Sequence, residues 1–224
     1  MSDIINSEPS SGKNDVFAVF KRLSRRRAVA TEQCELCSVG LAEPHPHLLD
    51  PKTRQVLCVC DACAMVFCGQ EGARYLRIPR QVRQLSSFKM SDLQWEALML
   101  PINLAFFYRE AASGKVRALY PSPAGAMESL LTLESWDEIV RQNPALQTME
   151  SDVEALLVNR VGTEAEYFKV PIDECYRLVG MIRKNWKGLS GGTEVWTQIQ
   201  NFFSTLKAQR VGSQGDAREE AVNA

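Results

Sequence analysis

Cys34-Glu35-Leu36-Cys37 and Cys60-Asp61-Ala62-Cys63 constrain this chain more than any other feature in it. A Cys-x-x-Cys turn is tight enough to present both of its sulfurs to one side of an ion. Two such turns, brought together by folding, complete a tetrahedral shell of four thiolates, and Zn2+ is the ion that most often occupies one. A shell closed by four protein ligands leaves no position for water or substrate. The pattern therefore points to a metal that holds a fold together rather than one that runs a reaction.

The residues around the two pairs describe the module that carries them. His47-Leu48-Leu49 and Gln55-Val56-Leu57-Cys58-Val59 read as two short strands, and Asp50-Pro51-Lys52-Thr53 is the turn between them. Cys60 and Cys63 then open onto Ala64-Met65-Val66-Phe67, a short helix whose N-terminus favours thiolate ligands. Knuckle, hairpin and ligand-bearing helix, in that order, make a treble-clef-like zinc module. Three further residues are alternates for a place in the shell. Cys58 stands two residues before Cys60, and His45 and His47 lie between the pairs. An iron–sulfur cluster is the alternative to zinc, because Cys58, Cys60 and Cys63 form a compact Cys-x-Cys-x-x-Cys run. Cys68 and Cys175 read as core thiols.

The rest of the chain divides around this module. Residues 1–14 are polar and read as a disordered lead-in, and Asp15 opens an N-terminal helix that belongs with the zinc module over 15–70. Residues 69–90 read as a basic, irregular connection. Residues 91–209 read as a mixed α+β domain, with strands expected over 102–108, 116–120 and 167–170, a strand or a helix over 153–160, and a helix over 136–142. Two C-terminal amphipathic helices follow. The first is capped by Asp173 and carries Tyr176, Val179, Ile182 and Trp186. The second is capped by Thr193 and carries Val195, Ile199, Phe202, Phe203 and Leu206. Pro121-Ser122-Pro123-Ala124-Gly125 reads as a strand terminator, and residues 210–224 as a flexible tail.

Composition excludes some classes of function. The net charge is -1, so nothing in the overall balance draws the chain to nucleic acid or to an anionic membrane. The balance is uneven: residues 1–90 hold 13 basic and 9 acidic side chains, and residues 91–224 hold 13 and 18. No apolar run is long enough to cross a bilayer, and no basic-then-apolar leader opens the chain, which sets the expectation of a cytoplasmic protein with reduced cysteines. No catalytic residue is assigned. The chain has no phosphate-binding Gly-x-x-x-x-Gly-Lys loop. Asp152 and Glu154 alternate as paired carboxylates or as a solvent-facing strand edge. His45 and His47 invite comparison with an HNH-type nuclease, which also sets histidines on a treble clef, but no histidine follows the second cysteine pair.

Several stretches together carry a resemblance: Cys34-Glu35-Leu36-Cys37, His45-Pro46-His47-Leu48-Leu49, Cys58-Val59-Cys60-Asp61-Ala62-Cys63, Tyr120-Pro121-Ser122-Pro123-Ala124-Gly125-Ala126, Asp152 to Val158, and Pro171 to Gly180. In these the chain resembles a bacterial family of unknown function often encoded near nickel–iron hydrogenase genes. The resemblance spans about Val16 to Leu206 and transfers no catalytic residue. It implies a hydrogenase-related accessory role, with a hydrogenase subunit or maturation factor as partner. Together with the closed four-cysteine shell it sets the expectation of a zinc-binding accessory or adaptor protein supporting hydrogenase maturation or assembly. The alternative is an iron–sulfur or metal-transfer redox protein.

Overall fold

A computed structural model of the chain describes residues 32–68, 72–129, 133–188 and 191–209. The expected lead-in, the helix from Asp15 and the tail from residue 210 lie outside the described residues.

The expected hairpin forms where the turn signal places it. Strands β1 (His47–Asp50) and β2 (Gln55–Cys58) pair antiparallel with Leu48 opposite Leu57 and Leu49 opposite Val56. Asp50 stabilises the turn, accepting from the Lys52 and Thr53 amides at 3.0 and 3.3 Å, and Arg54 takes the positive φ that reverses the chain. The hairpin has two working faces because side chains alternate across a strand. Leu48 and Leu57 point into a small core with Val59 and Ala64, whereas Leu49 reaches into the core of the larger body. Helix α1 (Asp61–Phe67) follows β2 directly.

Residues 69–90, read as an irregular connection, contribute two strands of two residues each. Strand β3 (Leu76–Arg77) adds to β1 and completes a three-stranded sheet ordered β2-β1-β3. Strand β4 (Arg83–Gln84) instead joins the edge of the larger sheet. Two residues carry too little alternation to be seen in a sequence. A helix α2 (Asp92–Ala97) was also not anticipated, although its start is encoded: Ser91 and Gln94 form a reciprocal capping box.

The larger sheet contains β5 (Leu104–Arg109), β6 (Val116–Ser122), β7 (Gly125–Ser129), β8 (Glu154–Asn159) and β9 (Glu166–Pro171), in the order β4-β9-β8-β5-β6-β7 with every pairing antiparallel. Pro121-Ser122-Pro123 does not terminate the strand as expected. Strand β6 runs through Pro121 and turns at Pro123-Ala124 into β7. The Ser122 hydroxyl closes this turn, donating to the Gly125 carbonyl at 2.9 Å and accepting from the Ala124 amide at 3.1 Å.

Helices cover both faces of this sheet. On one face, Phe106, Leu157 and Phe168 meet α4 (Ile172–Asn185) and α5 (Gly192–Gln209), the two expected amphipathic helices. Their buried positions include Leu178, Val179, Ile182, Val195, Ile199, Phe202 and Phe203. On the other face, Ala105, Phe107, Leu156 and Val158 meet α2, α3 (Leu133–Gln142) and the 3-10 turn Pro144–Leu146. The fold is thus mixed α+β, a small treble-clef-like element order beside a layered α+β body. Two expected caps differ. Helix α4 starts at Ile172 behind Pro171, so Asp173 sits inside its first turn, and α5 starts at Gly192, one residue before Thr193.

The expected carboxylate pair is resolved in a way neither reading foresaw. Asp152 and Glu154 are both buried, and each is neutralised by its own cation. Arg54 donates to Asp152 Oδ1 at 2.8 Å and lies 4.3 Å over the Tyr108 ring, while Lys169 donates to Glu154 Oε2 at 2.9 Å. They hold the structure and form no acid–base couple.

Candidate metal centre

The first Cys-x-x-Cys turn is a tight knuckle. Gln33 pairs with Gly40, the Cys34 amide donates to the Val39 carbonyl at 2.8 Å, and Ser38 adopts a left-handed conformation with φ 62°. The Glu35 amide donates to the Cys58 carbonyl at 2.9 Å, which fastens the knuckle to the end of β2. The second turn is the start of α1. Cys60 is its N-cap in extended conformation, and its sulfur accepts from the Cys63 amide at 3.5 Å. The chain leaves the strand after Cys58, which sends Cys60 in a different direction from Cys58 despite the two-residue spacing.

Folding brings these two turns together. One sulfur from each of Cys34, Cys37, Cys60 and Cys63 lies within 4.8 Å of the other three, and Cys37 Sγ stands 3.7 Å from Cys60 Sγ. A tetrahedral zinc with sulfur bonds of about 2.3 Å has sulfur–sulfur edges of roughly 3.8 Å, which the Cys37–Cys60 pair matches. They are free cysteines, and 3.7 Å is far beyond the roughly 2.05 Å of a disulfide. Four thiols this close could hold a metal ion such as zinc.

The electrostatics of the group follow from its geometry. Burial works to raise the Cys34 thiol, but the backbone amides of Cys60, Leu36 and Cys37 point at its sulfur and bring it down to about 6. Burial, and after it the sulfurs of Cys37, Cys60 and Cys34, pushes Cys63 up to about 12. The Cys34 thiolate is stabilised by backbone donors while Cys63 resists ionising beside it. A divalent cation removes that conflict by neutralising the sulfurs together.

The alternates stand elsewhere. Cys58, His45 and His47 do not enter the four-cysteine group but form a group of their own, again with one ligand atom from each within 4.8 Å of the others. His47 and Cys58 are direct partners in the β1–β2 ladder. They share the hairpin face with Leu49 and Val56, opposite the face of Leu48 and Leu57. Burial, and then the carboxylates of Glu32, Glu35, Glu43 and Asp173, push the Cys58 thiol up. The Asp173 carboxylate, 2.5 Å from His47 Nδ1, holds this imidazole above its ordinary value against partial burial. Sequence alone could not find Asp173, since 126 residues separate it from His47. Cys175 is fully buried in the main core, and Cys68 is half-buried beside the small one.

Among the described residues no helix is long and apolar enough to cross a membrane. A comparison with curated proteins finds no match, and a comparison with solved structures finds none. A family match spans both the small sheet with its cysteine group and the layered body: over residues 33–210 the chain belongs to a family of unknown function, DUF5947.

Proposed function

We propose that this protein is a zinc-binding accessory or adaptor protein, with Cys34, Cys37, Cys60 and Cys63 holding one structural Zn2+. The observation that carries this reading is the spacing of the four sulfurs, which fits the edges of a tetrahedron around one ion. The same spacing favours a single ion over an iron–sulfur cluster, in which irons and bridging sulfides stand between the thiolates and hold them further apart. Cys58, which a Cys-x-Cys-x-x-Cys cluster would need, belongs to the other group. Among the described residues, the small core around the site buries Leu48, Leu57, Val59 and Ala64 besides Cys34 and Cys63. A core of that size needs a metal to hold it, so bound zinc acts as folding free energy.

The partner follows from the sequence resemblance. A protein whose structural metal is closed off acts through a surface, and we assign that surface to a hydrogenase subunit or a hydrogenase maturation factor. The test is affinity purification of the full chain from its own host, with and without Cys34→Ser. The reading expects a hydrogenase component to copurify with the wild type and to be lost with the variant. A wild-type protein that purifies without any hydrogenase component contradicts the partner assignment, and one that binds no zinc contradicts the metal.

A further inference from the structure

We infer that His45, His47 and Cys58 form a second, separate metal site, an open one that takes a borderline transition-metal ion such as Zn2+. The hairpin builds it. His47 and Cys58 face each other across the β1–β2 ladder. His45 precedes His47 by two residues, and its ring comes to lie against the His47 ring. The two rings meet edge to face with centroids 5.0 Å apart and their Nε2 atoms 3.3 Å apart. A tetrahedral centre with metal–nitrogen bonds of about 2.0–2.1 Å has nitrogen–nitrogen edges of roughly 3.3–3.4 Å.

As neutral imidazoles, His45 and His47 do not satisfy each other by hydrogen bonding. With its Nδ1 proton donated to Asp173, neutral His47 presents a bare lone pair at Nε2. If His45 donates from Nε2 to that lone pair, its own Nδ1 becomes an acceptor with nothing to accept. This atom is buried and has no hydrogen-bond partner, on a side chain only 7% exposed. If His45 instead carries its proton on Nδ1, two lone pairs confront each other at 3.3 Å. A cation between the two Nε2 atoms and the Cys58 sulfur satisfies both lone pairs at once. His45 can then keep its Nδ1 proton, with the Glu43 carboxylate 3.8 Å away.

The surroundings match the demands of such an ion. His47 Nδ1 to Asp173 Oδ2 is the carboxylate–histidine arrangement that orients metal-bound imidazoles and raises their basicity. Asp173 is a positioning residue here, and it lies in the first turn of α4, so the site bridges the hairpin and the larger body. Two imidazoles and one thiolate form a donor set for zinc, copper or cobalt, not for magnesium or calcium. Three protein ligands leave a fourth position open. The Glu32 carboxylate lies 3.5 Å from His45 Nε2. Unlike the four-cysteine group, this site is built for an ion that can be exchanged or that can bind an outside ligand.

The test is a Co2+ titration of the metal-free full chain, read by absorbance, with Zn2+ competition. Two equivalents are expected per chain: one with the intense charge-transfer absorption of several thiolates, one with the weaker absorption of a single thiolate. Cys58→Ser should abolish the weaker charge-transfer band, and His45→Ala the second equivalent, with the first intact as proof that the variant folds. Asp173→Asn should weaken only the second site, on the order of 10–100-fold in affinity. Should His45→Ala lose the first equivalent as well, the wild-type stoichiometry and Asp173→Asn still decide the matter. A wild type that takes up one equivalent only, or a second equivalent that survives His45→Ala and Cys58→Ser unchanged, overturns the inference. The two sites fail separately, because the number of thiolates in each absorption band identifies which one is filled.

Discussion

Cysteine roles divide by what each sulfur can touch. Cys34, Cys37, Cys60 and Cys63 converge on one point, Cys58 faces the other side of the hairpin, and Cys175 is sealed among apolar side chains. Cys63→Ala should therefore leave a three-thiolate shell, abolish stoichiometric zinc at this centre, and cost on the order of several kcal/mol by chemical denaturation. Cys175→Ala should leave metal content unchanged and cost about 1 kcal/mol, the consequence of removing one buried atom of methyl size. Zinc loss in the Cys175 variant would show that the ligands are wrongly assigned. The convergence of the four was legible in the sequence because Cys-x-x-Cys is a local turn with a fixed geometry. The separate place of Cys58 was not. It depends on where β2 ends and α1 begins, and on Asp173, a residue no local pattern connects to His47.

Elements were legible in proportion to how one-sided they are. Helices α4 and α5 each bury one stripe, and their apolar spacing announces them. Strand β8 is buried at every position, between the helices of both faces, so it lacks the alternation that distinguishes a strand from a helix. Pro121 looked like a strand end because a proline cannot donate to a ladder. It is tolerated where β6 has outrun its pairing with β5 and meets only the edge strand β7. The junction of α4 with α5 gives a prediction at this scale. Gly191 has φ +85°, and a Cβ there would come within 2.8 Å of Val195 Cγ1 and 3.1 Å of the Trp186 ring. Gly191→Ala should destabilise the protein by roughly 1–3 kcal/mol, measured by urea unfolding. A variant as stable as the wild type would mean that the two helices can shift apart without loss.

At the scale of the molecule, several contacts tie the small sheet to the layered body. Leu49 enters the main core, His47 pairs with Asp173, and Arg54 at the hairpin tip reaches Asp152. The last tie is the most demanding. Asp152 is buried, and its other oxygen accepts from the Ala111 amide at 3.2 Å. Arg54→Ala strands that charge and should cost about 3–5 kcal/mol, whereas replacing both residues together should cost less than the two single losses combined. Additive losses in that double-mutant cycle would show that the contact is not energetically coupled. None of these ties was legible beforehand, because each joins residues far apart in sequence. What the sequence did expose was the local sulfur geometry on which the functional reading rests. The most direct test is diffraction from crystals of the full chain at the zinc absorption edge. The account predicts an anomalous peak about 2.3 Å from each of the Cys34, Cys37, Cys60 and Cys63 sulfurs. Four thiols with no peak between them, or a disulfide joining Cys37 to Cys60, would contradict it.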